Sequence, residues 1–436
     1  MTPPKRRTVR TPASRLAGAA LALVLVVGAC GSDDEPASTS SSTDGEVVGG
    51  PGVDVEAKTI TVAALSPLSG PGAVIGVPGT EGERVYFEAL NAAGGIDGWT
   101  VELEALDTQY DPQLHKQVYN DAADEIALVS QSVGSPTTAA ILDDLAADQM
   151  LAFPASLASG LSQFPNLVML GTPYRLDVQN GLQWAVDEQG AEAGSKTAIV
   201  YQDDEYGQDA RGGYERAVEE LELDSVAELT YARTDTDFTA TVRQLADDGA
   251  EYVWLTTTPT QTGPILAKAD ELGFDPVWLL SGPAFDPTLL TTGQLPESLF
   301  ANAYVVSSLA AWGEDVPGMA ELEDRVADLA PDQEPNPFFL LGYLQARLVE
   351  ETLRAGIEAG DLSREGLLAA AATLEDVDMG GLLPSLSFGT EAAERVPSRE
   401  SGVFTIDADA PAGVTRIVDN FVSDIAAADD MGSTGG

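Results

Sequence analysis

The residues in this chain that could do covalent or metal chemistry are few in kind. The sequence has one histidine, His115, and one cysteine, Cys30, beside 70 acidic residues. One histidine cannot form a multi-histidine zinc site, and one cysteine cannot form an internal disulfide. His115 lies in a polar helical stretch over 112–125, which predicts a solvent-exposed position, and no nucleophile elbow is present to pair with it. A Ser-His-acid hydrolase is therefore disfavoured, and paired carboxylates are the remaining enzymatic candidates.

A second group of residues could bind an anion. The segment 132–137 (SVGSPT) and the pair Ala155-Ser156 each follow a β-rich run and offer small residues and hydroxyls. Ligands of parallel α/β sheets bind beyond the carboxyl ends of strands, where helix N-termini supply free N–H groups. Ser135 and Ser156 therefore indicate a site for a carboxylate or another anion. The alternative is that Ser135 does no more than cap its helix.

The elements that would position these loops alternate regularly from Thr59. Short β-rich runs such as Thr59–Leu65 are followed by helical segments with apolar residues on one face. This alternation predicts right-handed βαβ units and parallel sheets. It occurs twice, over 59–175 and 176–306, and so predicts an α/β protein of two doubly wound, Rossmann-like lobes. The helix-rich remainder is too short for a third lobe and is expected to complete the first two.

The overall charge excludes one large class of partner. Lys and Arg total 22 against 70 Asp and Glu, which gives a formal charge of −48. A nucleic-acid surface needs clustered cations to neutralise phosphates. We therefore expect no nucleic-acid partner, and we interpret the acidity as an adaptation for solubility or salt.

Residues 1–29 are typical of an export signal. Basic residues precede an apolar run from Leu16 to Val27, which is too short to span a bilayer but fits the hydrophobic region of a signal peptide. The tetrapeptide Val27-Gly28-Ala29-Cys30 resembles the lipobox of bacterial lipoproteins. The resemblance implies cleavage before Cys30 and attachment of a lipid to its thiol. The alternative is an ordinary secretory signal with a chance cysteine.

The segments flanking the predicted lobes have the composition of disordered chain. Residues 30–58 are rich in Ser, Thr, Gly, Pro and acidic residues and lack an apolar period. We expect them to form a tether to the outer face of the cell membrane, and we expect a disordered tail over 426–436. No later segment reaches the ~18 consecutive apolar residues of a membrane span, so Cys30 is the expected point of attachment.

Three motifs, found in order, resemble one family. They are LSPLSGP at 65–71, LNAAGGIDG at 90–98 and DTQYDP at 107–112. Together with DEYG at 204–207 and TDF at 236–238, this set resembles the leucine/isoleucine/valine-binding type of periplasmic binding protein, the extracytoplasmic receptor of an ABC importer. The resemblance implies the type I fold of that class, in which a hinge of three crossovers joins the lobes.

The resemblance also implies how the chain is divided between the lobes. Lobe 1 is expected to comprise 59–175 plus 308–388, and lobe 2 to comprise 176–307 plus 389–425. The crossovers are expected near Tyr174–Asp177, Val306–Ala310 and Phe388–Thr390. Rotation about such a hinge predicts closure of the lobes over a bound ligand.

A ligand site in the cleft between the lobes follows from the same resemblance. Gly134, Ser135, Ala155 and Ser156 match the loops that hold the ligand's carboxylate in the family. Gly134 departs from the pattern, because it stands where the family usually has a serine, and Ser135 is expected to substitute for it. Tyr206 matches the family's tyrosine in the Tyr-Gly turn and is expected to bind the ligand from lobe 2.

The pocket wall is expected to be less aromatic than usual. Ile75 and Thr258 stand at positions where the family often has an aromatic residue, whereas Phe338 keeps one. Each of the three is equally compatible with ordinary core packing. Ile75, Phe338 and Phe285 together indicate an apolar surface for the body of the ligand.

One departure bears on the chemistry of the ligand. In amino-acid receptors of this family, an acidic residue after a Gly-Pro turn binds the α-ammonium. Here the turn reads SGPAFD at 281–286, and Ala284 occupies the matching position. Asp286 either reaches in from two residues later or begins the next helix. Because an unpaired buried ammonium is costly, we expect a carboxylate or amide head, an apolar body and a dispensable α-ammonium.

These patterns predict a non-enzymatic, monomeric, extracytoplasmic solute-binding lipoprotein that needs no cofactor or metal. It would capture a small ligand, such as an amino acid, an amide or an apolar carboxylate, and deliver it to the permease and ATPase subunits of an ABC importer. The alternative is a ligand-sensing lipoprotein that signals to a membrane partner. A cleft enzyme with paired carboxylates is the least favoured interpretation.

Overall fold

Two β-sheets organise the chain, which the computed structural model describes over residues 47–431. The expected alternation of strands and helices is confirmed, with parallel pairing at the centre of each sheet. The first part of the chain contains β1 (Val48–Gly49), β2 (Val53–Asp54), β3 (Thr59–Ser66), α1 (Ala73–Ala92), β4 (Thr100–Asp107), α2 (Pro112–Ala122), β5 (Leu128–Val133), α3 (Ser135–Ala139), α4 (Leu142–Ala147) and β6 (Ala152–Ala155).

Lobe 1 is built on the smaller sheet. Strands β4, β3, β5 and β6 run parallel in that order, and the short β2 pairs antiparallel with the start of β3. The apolar residues of β3 and β5 are buried between helices on both faces, as expected for a parallel sheet. All the carboxyl ends of these parallel strands therefore lie at one edge of the lobe.

Lobe 2 is built on a seven-stranded sheet of order β14-β13-β11-β10-β9-β7-β8. Five of these strands are parallel, whereas β13 and β14 add antiparallel at one edge. The elements before that edge are α5 (Tyr174–Glu188), β7 (Lys196–Gln202), α6 (Glu205–Glu220), β8 (Asp224–Tyr231), α7 (Thr239–Asp248), β9 (Tyr252–Thr256), α8 (Pro259–Leu272), β10 (Val277–Ser281), α9 (Thr288–Thr291) and β11 (Ala303–Ser307).

The rest of the chain completes both lobes, as the sequence predicts. Helices α10 and α11 pack on α1 of lobe 1, and the final strands join the sheet of lobe 2. These last elements are α10 (Pro317–Leu329), α11 (Pro337–Ala359), β12 (Asp361–Leu362), α12 (Arg364–Ala371), β13 (Ser401–Ile406), β14 (Val414–Phe421) and α13 (Asp424–Ala427). Glycines allow α1 and α11 to approach closely, because a Cβ on Gly342 would collide with the backbone of Gly79.

The three crossovers between the lobes meet at one point. The backbone N–H of Thr172 donates to Ser308 Oγ at 3.3 Å, and the Thr172 hydroxyl donates to the backbone carbonyl of Glu400. Thr172, Ser308 and Glu400 each belong to a different crossover. The hydroxyls of Thr172 and Ser308 and the carbonyl of Glu400 therefore connect the three crossovers of the hinge.

Two crossovers lie away from their expected positions. Tyr174–Asp177 already forms the first turn of α5, so the first crossover comes slightly earlier. The third comes later than Phe388–Thr390, because the buried Arg395 donates to the carbonyls of Ser162 and Gln163 in lobe 1. This guanidinium holds the chain on lobe 1 until about residue 396, and the predicted boundary at 388/389 is therefore too early.

The folded body extends beyond both predicted limits. Residues 47–58 were assigned to the tether, but β2 pairs with β3, and Val53 and Val55 pack against the core of lobe 1. The apolar residues Val47, Val53 and Val55 are the reason for this ordering. The predicted signal peptide and Cys30 lie outside the described residues. Among residues 47–431, no helix has both the length and the apolar character needed to cross a bilayer.

The described part of the predicted tail, 426–431, also packs on lobe 2. Ala426 and Met431 are buried with Leu176. The Asp429 carboxylate accepts from the side chains of Arg175 and Gln179 on α5, and Arg399 donates to the carbonyls of Ala426 and Asp429. The prediction of disorder is wrong for these six residues, because the segment carries its own apolar anchors and a buried charge partner; residues 432–436 lie outside the described range.

Candidate functional site

The structure brings the two predicted hydroxyl loops together at the carboxyl edge of lobe 1. Ser135 follows β5 and Ser156 follows β6, and their Oγ atoms lie 2.6 Å apart. Both serines are buried, and Gly134 and Ala155 flank them on the same two loops. The two hydroxyl groups can donate hydrogen bonds to an oxygen atom of a ligand. Their role in binding stays a prediction.

The helix behind this site is shorter than the sequence indicates. The proline at 136 begins a helical pattern that is compatible with one helix up to Ala147, but the chain forms the five-residue α3 and then the separate α4. A helix of one turn has a small dipole, because the macrodipole sums over aligned peptide units. The polar character of this loop therefore depends on its hydroxyls.

Tyr206 reaches the carboxyl edge of lobe 2 and bridges two strand ends. Its Oη lies 2.6 Å from the Oγ of Ser281, the last residue of β10. The same hydroxyl donates at 3.1 Å to the carbonyl of Thr257, the residue after β9. The rings of Tyr206 and Tyr174 meet edge to face with centroids 4.5 Å apart. Burial raises the pKa of both phenols, so both stay neutral hydrogen-bonding groups.

A cavity between the lobes, which we call the Arg233 cavity, contains two of the predicted wall residues. It has a volume of about 10 Å³ and includes Ile75 from lobe 1 and Thr258 from lobe 2. The other lining residues are Pro67, Pro71, Gly72, Tyr110, Val133, Gln202, Arg233 and Gln261. Arg233, Tyr110 and Gln202 are site residues that the sequence did not indicate.

Tyr110 enters the cleft from a strained loop. Gln109 and Tyr110 both have positive φ values, 52° and 58°, a left-handed conformation that few non-glycine residues adopt. The Arg233 guanidinium lies 5.4 Å from the centre of the Tyr110 ring and also donates to the Tyr110 carbonyl. Gln202 Nε2 donates to Tyr110 Oη at 3.3 Å. Lobe 2 therefore holds this tyrosine from two sides.

A second cavity between the lobes is apolar, and we call it the Phe285 cavity. It has a volume of about 40 Å³, and its lining includes Gly282, the residue after Ser281. Phe285 lines it, and its contact with a ligand stays a prediction. The remaining lining residues are Val305, Ser307, Leu309, Ala310, Ala311, Trp312, Asn336, Pro337, Leu340, Phe404, Ala412 and Val414. Phe338 is buried nearby at the start of α11 but lines neither cavity, so the structure does not bring it to the other predicted wall residues.

Asp286 is fully buried, and its carboxylate is already engaged. Oδ1 accepts from the backbone N–H and the hydroxyl of Thr288, and Oδ2 accepts from Asn336 Nδ2 at 2.8 Å. Three hydrogen bonds fill most of the ~4 acceptor positions of a carboxylate. Asp286 therefore starts α9 and joins lobe 2 to lobe 1.

The other acidic residue beside the cleft, Asp204, is also engaged. Its Oδ1 accepts from the backbone N–H groups of Tyr206 and Gly207, and its Oδ2 accepts from Gln202. It is the N-cap of α6. Among the residues that the structure describes, no three His, Cys, Asp or Glu side chains converge on a possible metal site.

The expectation of an exposed His115 is wrong. The side chain is buried under the 132–138 loop, where Nε2 lies 3.1 Å from Ser132 Oγ, and that hydroxyl lies 2.8 Å from Thr138 Oγ1. Burial lowers the pKa of His115 to about 3, so the ring is neutral at physiological pH. The histidine is on the inner face of α2 and supports the loop that carries Ser135.

Known proteins resemble this chain over most of its length. The family model described as periplasmic binding protein matches residues 59–411. A Brucella abortus protein named Leu/Ile/Val-binding protein homolog 8 is 24% identical over 314 residues, which cover 68% of this chain and 76% of that protein.

Solved structures share the fold. A fatty acid ABC transporter substrate-binding protein from Thermomonospora curvata is 28% identical, with a TM-score of 0.84 over 88% of this chain and 97% of that one. A branched-chain amino acid ABC transporter protein from Thermus thermophilus, solved with bound valine, is 18% identical, with a TM-score of 0.73 over 87% of this chain and 98% of that one.

Proposed function

Because the chain belongs to the periplasmic binding protein family and is a small-ligand-binding protein of the ABC transporter type, we propose that its ligand is a carboxylate with an apolar body and that an α-ammonium is dispensable. One observation carries this proposal. Asp286, the acid nearest to the family's ammonium-binding position, already accepts hydrogen bonds from Thr288 and Asn336 on both oxygens. An α-ammonium placed there would lose its water without gaining a free carboxylate.

The polarity of the two cavities matches an amphiphilic ligand, because one contains Arg233 and the other is lined mainly by apolar side chains. Tyr206 stands between them, because its hydroxyl bonds to the carbonyl of Thr257, beside the Arg233 cavity, and to Ser281, beside the Phe285 cavity. Polar groups of the ligand would meet the hydroxyls of Ser135, Ser156 and Tyr206. The apolar body would enter the Phe285 cavity, where each buried CH₂ contributes about 0.8 kcal/mol.

The similar proteins are consistent with this choice. The Thermomonospora curvata protein is described as binding fatty acids, which are carboxylates without an ammonium group, and its identity to this chain is 28%. The Thermus thermophilus protein, with bound valine, shares the fold at 18% identity. The Thermomonospora curvata protein therefore supports an apolar carboxylate as the ligand class, whereas the Brucella abortus relative, at 24% identity, carries a Leu/Ile/Val-binding name.

We further propose that the protein is held outside the cytoplasm by a lipid on Cys30 and delivers its ligand to the permease and ATPase subunits of an ABC importer. The lipobox-like sequence before Cys30 supports the anchor. The proposed working form is a monomer, because one chain contains both lobes of the cleft.

A calorimetric panel tests the proposed ligand class. Leucine, 4-methylpentanoate (leucine without its ammonium group) and octanoate would be titrated into the wild type and into Asp286→Asn. We expect both acids to bind the wild type more tightly than leucine does. We expect Asp286→Asn to change the affinities for leucine and 4-methylpentanoate by the same factor. Tight leucine binding that is lost selectively in Asp286→Asn would show that Asp286 binds an ammonium, and the proposal would be wrong.

A further inference from the structure

We infer that Arg233 binds the carboxylate of the ligand in the Arg233 cavity and is the residue that distinguishes an anion from a neutral amide. The inference rests on the proposed function, because it assigns the charged group of the proposed ligand to one side chain. It concerns a residue of the loop after β8, which none of the sequence motifs includes.

The guanidinium of Arg233 has neutral partners only, within the part of the chain that the structure describes. It donates to the carbonyl of Tyr110 and lies over the ring of the same residue. Other arginines of lobe 2 are paired with acids, as Arg175 is with Asp429 and Arg211 is with Glu228. Arg395 and Arg399 likewise donate only to carbonyls among the described residues, but Arg233, unlike them, lines the Arg233 cavity between the lobes.

Two acids in the neighbourhood of Arg233, one close in sequence and one beside Tyr110, already accept hydrogen bonds from other groups. Asp235, two residues along the chain, accepts from the backbone N–H of Ala232 at 2.8 Å. Asp204, across the Tyr110 ring, caps α6 and accepts from Gln202. The charge of Arg233 is therefore available to a ligand that enters the cavity.

A carboxylate is a better hydrogen-bond partner for Arg233 than the backbone carbonyl of Tyr110, to which it donates in this structure. A guanidinium forms two parallel, charge-assisted hydrogen bonds with a carboxylate, and these are about twice as strong as bonds between neutral groups. The cavity walls around it include Ile75, Val133 and Pro67, whose apolar side chains keep water away. Exclusion of water strengthens the attraction between the two charges.

The hydroxyls of the site cannot make the same distinction. Ser135, Ser156 and Tyr206 can donate to an oxygen of a carboxylate or of a primary amide, and none of them carries a charge that pairs with an anion. The formal charge of −48 repels an anion at long range, so a local cation has to offset that repulsion. Arg233 is the cationic side chain among those lining the Arg233 and Phe285 cavities.

The test compares two ligands that differ only in the charged group. Octanoate and octanamide would be titrated by calorimetry into the wild type, Arg233→Gln and Arg233→Lys. We expect Arg233→Gln to weaken octanoate binding by roughly 10–100-fold, the range for loss of a hydrogen bond between charged groups, and octanamide binding by less than about 3-fold. Arg233→Lys should restore part of the preference for octanoate, because it keeps the charge without the planar fork.

Arg243→Gln is the matched control. Arg243 is exposed on α7, so this variant makes the same change of net charge away from the cleft, and we expect neither ligand to be affected. Thermal melts of all variants would show that each is folded.

Two results would overturn the inference. Equal weakening of both ligands in Arg233→Gln would mean that Arg233 only joins the lobes through Tyr110. Unchanged octanoate binding in that variant would mean that the carboxylate lies elsewhere. Failure of the proposed function would look different, because the wild type itself would then bind leucine but neither octanoate nor 4-methylpentanoate.

Discussion

The aromatic ring of Tyr110 lies directly against the backbone of Gly134. Gly134 has a φ of 100°, and a Cβ at this position would collide with the ring and lie 2.7 Å from Thr137 Oγ1. The family usually has a serine here. In this chain the tyrosine ring occupies the space that a side chain at position 134 would need, which explains why glycine stands there.

Replacement of Gly134 by serine tests this relationship. We expect Gly134→Ser to lower the free energy of unfolding by about 1–3 kcal/mol, because the φ is strained for any side chain and the new Cβ meets the ring. Tyr110→Ala should remove the collision but not the strain, so the double variant should recover part of the loss. Urea unfolding of the wild type, both single variants and the double variant measures the coupling. Strictly additive effects would argue against contact between the two residues.

The size of the Phe285 cavity should set the length of ligand that binds. Leu340→Trp and Ala412→Leu each reduce the cavity, from lobe 1 and lobe 2 respectively. We expect both to weaken octanoate binding by at least about 10-fold, the equivalent of roughly two buried CH₂ groups, with little effect on butyrate. Leu340→Met, which conserves volume, is the control. Calorimetry across straight-chain acids measures the trend. Equal losses for short and long acids would instead indicate a general disturbance of closure.

Glu83 should make stability depend on pH. Its side chain is buried on α1, where it accepts from Ser130 Oγ at 3.1 Å, and burial raises its pKa from 4.5 to about 8. The folded state therefore favours the protonated acid. The stabilisation from this residue is complete below about pH 4.5 and is lost as the pH rises through about 8.

Glu83→Gln isolates this effect, because the amide keeps an acceptor for Ser130 and does not titrate. We expect the wild type to lose stability relative to the variant between about pH 5 and pH 9, by an amount on the order of a few kcal/mol. Urea midpoints of both proteins at several pH values give the difference directly. If the two stability curves stay parallel, Glu83 is not held protonated in the folded protein.

The proposed anchor depends on one thiol. In Cys30→Ser we expect the protein to be released into the medium or to remain unprocessed at the membrane, because the chain has no second cysteine for a lipid. Cell fractionation and metabolic labelling with a fatty acid would follow both outcomes. Normal processing with unchanged membrane retention in this variant would rule out lipidation at Cys30.

The sequence predicts the fold well because the fold depends on local patterns. The alternation of strands and helices from Thr59 appears in apolar periodicity and turn residues, whereas the return of the last strands to lobe 2 was implied by the resemblance to the family. The hydroxyl pair of Ser135 and Ser156 was also predictable, because parallel strands end at a common edge.

The contacts across the cleft could not be predicted in the same way. The bond between Asp286 and Asn336, and the position of Arg233 over Tyr110, join residues far apart in the sequence, and they exist only when the lobes meet. Tyr110 reaches the cleft because two successive residues have positive φ, which no common turn signal indicates. His115 was misassigned because a polar helix can still bury one polar residue that has a partner, here Ser132.

The packing of the C-terminal segment offers a fixed point for an optical sensor. Asp429 is held by Arg175 and Gln179, and Arg399 holds the backbone beside it, so the segment moves with lobe 2. A fluorescent group attached at position 431, whose side chain packs with Leu176, would follow the rotation of that lobe. Paired with a second fluorophore on α12 of lobe 1, it would convert ligand capture into a change of energy transfer.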